Sequence, residues 1–169
     1  MKFKKIICWP PLLGGIGAGV TISILAYITF QSILAGTNYG LWLAASFGSS
    51  VVVVFGYPDN EFSQPKNVLF GHLLCALVGI IFVTLFKISQ DRSIFFLTIG
   101  IAVGVAVTLM LAFKVAHPPA GGNTIVVMLT QDSFQFLIFP IMVGAVTIII
   151  GGVIYNHFIL KKKYPLKWL

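Results

Sequence analysis

The sequence contains few charged residues and very few acidic ones. Asp, Glu, Lys and Arg together make up 9% of its 169 residues, whereas a typical soluble domain carries about 25%. Hydrophobic residues make up 58%, and the mean hydropathy is +1.01. These values predict an integral membrane protein, and they leave no room for a soluble domain of useful size beside the apolar segments.

The scarcity of acid also limits the chemistry that the chain can perform within a membrane. Its four acidic residues all lie in predicted loops: Asp59, Glu61, Asp91 and Asp132. No intramembrane carboxylate pair is therefore available, which argues against a sodium-coupled carrier and against an acid–base enzyme in the bilayer. The metalloprotease, paired-cysteine and nucleophile-elbow motifs of common enzymes are missing as well, so we expect no enzymatic activity.

Cysteine is equally scarce. The two cysteines, Cys8 and Cys75, lie in or near apolar segments and form no disulfide or metal-binding pattern. Two histidines, His72 and His117, lie in or beside apolar segments, but no third ligand stands at a fixed spacing from them. The sequence therefore predicts neither a metal nor a cofactor.

The apolar residues are arranged in six segments. A helix needs about 20 apolar residues to cross a bilayer, and four segments qualify: 11–35, 68–87, 94–113 and 134–159. Two further segments are short and interrupted, 41–57 and 115–130. We predict an all-α, polytopic transmembrane helix bundle forming a single domain over 1–169. The sequence leaves open six full crossings or four crossings with two re-entrant pieces.

Lysine is concentrated at both ends of the chain. Lys2, Lys4 and Lys5 precede the first apolar segment, and four lysines follow the last, at positions 161–163 and 167. Because clustered Lys marks the cytoplasmic side, both termini are expected in the cytoplasm. With six crossings, Lys66 and Lys114 fall there too. The net charge of +7 is explained by this topology and by contact with anionic lipids, so we expect no nucleic-acid partner.

A weak internal repeat relates the two halves. The segment from Gly48 to Phe55 aligns with the segment from Gly122 to Leu129 at an offset of 74 residues. The predicted halves, 11–87 and 94–159, would each contain a long, a short interrupted and another long segment. Three crossings per half would give the halves opposite orientations, and paired broken helices in inverted repeats typically mark a transporter's midplane site.

The break at 116–124 combines a histidine, two prolines and several small polar residues. Pro118 and Pro119 suit a helix start, whose free N–H groups and dipole favour a small anion. Two sets of candidate anion donors follow: Gly121, Gly122, Asn123 and Thr124 at this break, and Gly48, Ser49 and Ser50 at the other. The alternative is that these small residues only allow the helices to pack closely.

Two histidines and one lysine complete the candidate site. His117 could bind an anion or exchange a proton near neutral pH, or it could merely close the broken backbone with a hydrogen bond. His72 lies one to two turns into its helix, and the sequence does not show whether it faces His117. Lys66, at the start of the same helix, would be a supporting cation on the path. His157 is expected at the membrane interface.

Four motifs together resemble the HPP family of integral membrane proteins. They occur in family order at 46–50 (SFGSS), 62–67 (FSQPKN), 71–73 (GHL) and 117–121 (HPPAG). Where the family often has arginine, this chain has Lys66, which lacks the bidentate fork. The family's usual alanine after the last motif is replaced by Gly122, followed by Asn123 and Thr124.

The resemblance implies a small membrane protein with about four spans, and plant plastid members of the family are associated with nitrite transport. We therefore expect a transporter or channel for a small inorganic anion, nitrite first, in a prokaryotic plasma membrane. So short a chain favours a homo-oligomer. Two alternatives stay open: an accessory membrane subunit without transport activity, and a metal or redox protein that uses His72 and His117.

Overall fold

Within the part of the chain that the structure describes, the fold is a bundle of six helices. A computed structural model of the chain describes residues 9–34, 43–84 and 94–168, and no strand occurs among them. The helices are α1 (Trp9–Leu34), α2 (Leu43–Gly56), α3 (Pro65–Thr84), α4 (Phe95–Ala112), α5 (Gly121–Thr130) and α6 (Leu137–Ile159). The predicted all-α class is confirmed, as is the succession of four long and two short segments.

Four helices, α1, α3, α4 and α6, are long and apolar enough to cross a membrane. Their apolar residues are spread around the helix rather than confined to one stripe, as expected for helices that face lipid on one side and protein on the other. On α1, for example, Ile16, Ile24 and Phe30 are each more than half exposed. Their outward faces match hydrocarbon in chemistry, so they require no protein cover.

The two short helices cannot span the hydrocarbon core of a bilayer without additional residues. At 1.5 Å per residue, the 14 residues of α2 and the 10 residues of α5 span only about 21 and 15 Å. Before α5 the chain turns at Lys114, which has a positive φ of 55°. It then extends through His117 and forms a 3₁₀ turn at Pro118–Ala120. The helix start that the sequence predicted at Pro118 and Pro119 is therefore found, after an extended piece of chain.

Helix α3 runs parallel to the segment that contains α5. A Cβ on Gly71 would lie 2.8 Å from Cβ of His117, and one on Gly79 would lie 2.9 Å from Cβ of Val127. Both contacts are closer than real Cβ atoms tolerate. Glycine at these two positions is therefore what allows the broken segment to approach α3 along its length.

Helix α6 stands in the same relation to α2. A Cβ on Gly144 would lie 2.1 Å from the Phe47 ring, and one on Gly152 would lie 2.4 Å from Cγ1 of Val54. Gly144 and Gly152 follow Gly71 and Gly79 of α3 at an offset of 73 residues, one less than the offset of the predicted repeat. The remaining pairings also match, since α1 contacts α2 and α6 as α4 contacts α5 and α3. The repeat stays a prediction, which these matched contacts support.

The C-terminal residues fold back over one end of the bundle. Tyr164 is buried, and its hydroxyl donates to the Ser63 carbonyl at 2.8 Å. The Leu166 N–H donates to Oε1 of Gln64 at 2.7 Å. We call residues 160–168 the C-terminal strap. It brings the chain after α6 to the same end as the connection between α2 and α3, as the six-crossing alternative requires.

Candidate functional site

Three polar side chains from separate parts of the chain meet inside the bundle. His72 lies seven residues into α3, or about 10 Å from its start. Ser50 comes from α2, and His117 from the extended piece before α5. All three are 0% exposed. Two histidines that the sequence could only propose to be neighbours are therefore in contact, with ring centroids 5.0 Å apart.

Ser50 links the two histidines. Its Oγ lies 2.8 Å from Nε2 of His72 and 2.9 Å from Nε2 of His117. The same oxygen also lies 3.0 Å from the carbonyl oxygen of Ser46, one turn earlier in α2. We call His72, Ser50 and His117 the histidine network.

The outer nitrogen of each ring is also hydrogen-bonded. Nδ1 of His117 lies 2.7 Å from the Phe62 carbonyl oxygen, in the connection between α2 and α3. Nδ1 of His72 lies 2.7 Å from Nδ2 of Asn123, which also donates to the His72 carbonyl at 3.3 Å. All four ring nitrogens therefore have partners, as buried polar groups require.

The local backbone explains how His117 reaches this position. It has extended dihedrals (φ −138°, ψ 95°), since the residue before a proline is driven away from helical geometry. Nδ2 of Asn67 in α3 donates to the Ala116 carbonyl at 2.9 Å, and the Val115 N–H donates to the Met110 carbonyl. These bonds satisfy backbone groups that the break would otherwise leave unpaired within the membrane.

The four donors predicted at the start of α5 have different surroundings. Asn123 and Thr124 are buried and hold α5 against α3, since the Thr124 hydroxyl donates to the Cys75 carbonyl at 2.8 Å. Gly121 has open space where a side chain would stand, whereas a Cβ on Gly122 would lie 2.8 Å from Oγ of Ser46.

Helix α2 runs without interruption through Gly48, Ser49 and Ser50, so the second predicted break is absent. Only one of these three predicted donors reaches the histidine network. Ser50 forms it, whereas Ser49 is exposed on another side of α2, and Gly48 has open space around it. The structure therefore does not bring the two predicted donor sets together as a single ring of groups around one ligand.

A charged cleft opens at the end of the bundle that the strap covers. It encloses about 420 Å³ and is lined by Asp59, Glu61, Gln64, Lys66, Asn67, Lys114, Leu166 and Lys167. Lys66 therefore lies in the cleft rather than in the histidine network. Asn67 connects the two regions, because it lines the cleft and bonds the residue before His117. We call this space the lysine cleft.

Several of these contacts gave no signal in the sequence. The Phe62 and Ser46 carbonyls are backbone acceptors, and any residue at those positions supplies one. Asn67 stood out only as part of the family motif at 62–67. Among the described residues, no three His, Cys, Asp or Glu side chains come together as metal ligands would.

The fold and the site define a class: a polytopic helical membrane protein with a buried histidine pair beneath a charged cleft. Comparison with known families identifies the family within this class, since the model for the HPP transmembrane region matches residues 6–165. The chain belongs to the HPP family.

Two curated relatives are both transmembrane proteins of Dictyostelium discoideum. One is 32% identical over 152 residues, covering 87% of this chain and 52% of the relative. The other is 31% identical over 133 residues, covering 76% of this chain and 42% of the relative. The chain thus spans about half the length of the relatives it matches. No solved structure matches it.

Proposed function

We propose that this protein carries a small inorganic anion across the membrane, with nitrite as the first candidate. One observation carries the proposal: two histidines with no solvent exposure are joined through one serine inside a membrane bundle, directly beneath a cleft that holds three lysines. Ionisable groups at such depth are costly and usually functional. The choice of nitrite rests on the family resemblance and not on the geometry.

The lysine cleft supplies the entrance in this proposal. Lys66, Lys114 and Lys167 oppose two acidic residues, Asp59 and Glu61, so the lining is cationic by one charge. A cleft with an excess of one sign raises the local concentration of the opposite ion. From there an anion would pass Asn67 and meet the histidine network.

Backbone contacts at the start of α5 form the second part of the proposed path. Gly121 leaves room for an anion to approach the chain, and Gly122 faces the Ser46 hydroxyl. Asn123 and Thr124 act here through their position, because their side chains hold the helix that carries these glycines. His117 is the central residue of the proposed path.

The protein would lie in a prokaryotic plasma membrane with the lysine cleft and both termini in the cytoplasm. Clustered lysine favours that orientation. Exposed apolar faces on α1 and α4 offer surface for lipid or for further copies of the chain, and the proposal includes a homo-oligomer. It includes neither a cofactor nor a nucleic-acid partner.

The proposal is tested by anion uptake into liposomes that contain the purified chain. Nitrite, nitrate, formate and chloride are compared at two pH values, with empty liposomes as background. We expect nitrite-selective uptake that falls by more than about tenfold in His117→Gln and His72→Gln, since each loses an ionisable member of the network. His157→Gln is the matched control, because His157 is exposed at the end of α6.

Two results would contradict the proposal. If no anion crosses faster than in empty liposomes, the accessory-subunit alternative replaces transport. If both buried-histidine variants stay folded and transport nitrite like the parent, the network is structural and the path lies elsewhere. Thermal unfolding of each purified variant separates loss of function from loss of fold.

A further inference from the structure

The partners of the histidine network decide which ring nitrogens carry hydrogen. The Phe62 carbonyl can only accept, so Nδ1 of His117 must be the donor of their 2.7 Å bond. A neutral imidazole carries one hydrogen, and in His117 this bond uses it. Nε2 of neutral His117 is therefore an acceptor, and it faces Oγ of Ser50.

His72 has the opposite tautomer. Nδ2 of Asn123 is a donor, and its second contact with the His72 carbonyl, a pure acceptor, supports the orientation of the amide. Nδ1 of His72 must then accept, which leaves the ring hydrogen on Nε2. That hydrogen is donated to Ser50 across 2.8 Å.

Ser50 has a single hydroxyl hydrogen and two acceptors within reach. Nε2 of His117 lies 2.9 Å away and the Ser46 carbonyl oxygen 3.0 Å away. When His117 is neutral, the hydrogen is needed at Nε2. When Nε2 carries a proton, the hydrogen can turn to Ser46, and the serine oxygen then accepts from both rings. Every polar group is satisfied in both states, without displacement of a heavy atom.

We propose that the histidine network is a binding site for one proton, taken up at Nε2 of His117 and accommodated by rotation of the Ser50 hydroxyl. This inference rests on the proposed function and deepens it: the anion crosses together with a proton. On binding, one N–H bond forms at Nε2 and no covalent bond within the protein breaks. The site gains one positive charge, which offsets the anion's negative charge while both are within the membrane.

His72 cannot take the proton in place of His117. Its unprotonated nitrogen, Nδ1, accepts from the Asn123 amide, so a proton there would set two donors against each other. Cys75, one turn further along α3, donates to the Met110 sulfur and is turned away. The charged residues Asp59, Glu61, Lys66, Lys114 and Lys167 line the cleft rather than the network. The described parts of α2 and α5 carry no titratable side chain.

The first test reads the protonation states directly. Nitrogen NMR of the chain in lipid, with ring-labelled histidine, separates the two neutral tautomers from the doubly protonated ring. Each signal is assigned to one histidine by its loss in His72→Gln, His117→Gln or His157→Gln. At alkaline pH we expect hydrogen on Nδ1 of His117 and on Nε2 of His72, and on acidification His117 gains a second proton while His72 does not. The same tautomer in both rings, or protonation of His72 first, would overturn the proposal.

The second test measures the coupled movement. Liposomes that contain the protein also hold a pH-sensitive dye, which reports proton entry. The membrane voltage is clamped with potassium and an ionophore. Empty liposomes give the background from nitrous acid that crosses the bilayer without the protein. We expect about one proton per nitrite and uptake that does not depend on voltage. Ser50→Ala should lower uptake more than about tenfold and make the remainder voltage-dependent. Thr108→Ala is the matched control, because that hydroxyl bonds within its own helix and faces outward.

The outcomes separate the two proposals. Parent uptake of nitrite that depends on voltage and brings no proton would overturn the proton site and leave anion transport standing. No uptake of any anion would end the transport proposal, and with it the coupled movement. The tautomers would then show whether the network still binds a proton as described.

Discussion

His117 illustrates how one residue can serve the backbone and the site together. Its ring closes the gap between α2, α3 and the break through bonds to Ser50 and the Phe62 carbonyl. The sequence offered anion binding, proton exchange and backbone closure as separate interpretations. The geometry makes backbone closure compatible with a ring nitrogen that can accept a proton, because the bond to the Phe62 carbonyl uses Nδ1 and leaves Nε2 as an acceptor facing Ser50.

A residue-scale prediction concerns Gly71. Its replacement by alanine would place a Cβ 2.8 Å from Cβ of His117 and 3.1 Å from the Val115 carbonyl oxygen. We expect Gly71→Ala to lower the free energy of unfolding by about 1–3 kcal/mol, as overpacking does, and to displace His117. Thermal unfolding of the purified protein measures the first effect, and the His117 nitrogen signals measure the second.

The matched control is Gly100→Ala on α4. Gly100 is exposed, and a Cβ there meets nothing within 4 Å. Alanine should therefore leave stability unchanged or raise it by up to about 1 kcal/mol, through helix propensity alone. Equal stability of the two variants would show that the close approach of α3 to the break is not needed for the fold.

Among the structural elements, the C-terminal strap combines apolar packing with a polar anchor. Tyr164 belongs to the same core cluster as Val54 and Ile148, while its hydroxyl reaches the Ser63 carbonyl. Gln64 receives the strap backbone through Oε1 and donates to the Pro58 carbonyl through Nε2. The strap therefore fixes the connection that carries Phe62, the partner of His117, and it also forms one wall of the lysine cleft.

Tyr164→Phe tests the strap. Loss of the hydroxyl bond should lower the free energy of unfolding by about 1 kcal/mol at neutral pH. Burial raises the pKa of the Tyr164 hydroxyl above its ordinary value of about 10, so the folded state favours the neutral phenol. The hydroxyl's contribution is complete below that ordinary value and is lost as the pH rises above it, where unfolded chains ionise first.

Unfolding followed at several pH values measures this difference. The gap between the parent and Tyr164→Phe should stay constant up to about pH 9 and close above about pH 10. Tyr57→Phe is the control, because Tyr57 is 65% exposed. A gap that widens at high pH would refute the buried-phenol account of the strap.

At the scale of the whole molecule, each half packs its long last helix against the short helix of the other half. Glycines at equivalent positions of α3 and α6 make both contacts. The two short helices therefore lie side by side between the long ones, and the histidine network forms where they meet. An inverted repeat would place such a site on its symmetry axis.

The proposed orientation can be tested with cysteine substitutions in a bacterial inner membrane. Cys8 is replaced by serine, and buried Cys75 is kept. We expect Lys114→Cys and Lys167→Cys to react with an impermeant maleimide only in inside-out vesicles, because both residues line the lysine cleft. Ser133→Cys, exposed between α5 and α6, should react only in intact cells. Labelling of all three from one side would contradict six crossings.

Much of the fold followed from composition and local pattern. Helices α4 and α6 begin and end within three residues of their predicted bounds, and α1 and α3 begin within three residues of their predicted starts. Positions 35 and 87, where the first and third segments were predicted to end, lie outside the described residues. The candidate site was predicted less completely, since Ser49 lies away from the network and Lys66 lies in the cleft.

The sequence by itself determined the membrane class, the six segments and the family. Hydropathy adds up residue by residue along a helix, and proline and glycine act on their immediate neighbours, so these properties need no knowledge of packing. Only the tertiary structure decided that His72 and His117 share Ser50, that Asn123 and Thr124 bind α3, and that a lysine cleft lies above them. Those outcomes depend on which helix faces meet, and that is set by glycine contacts between residues about 45 to 100 positions apart.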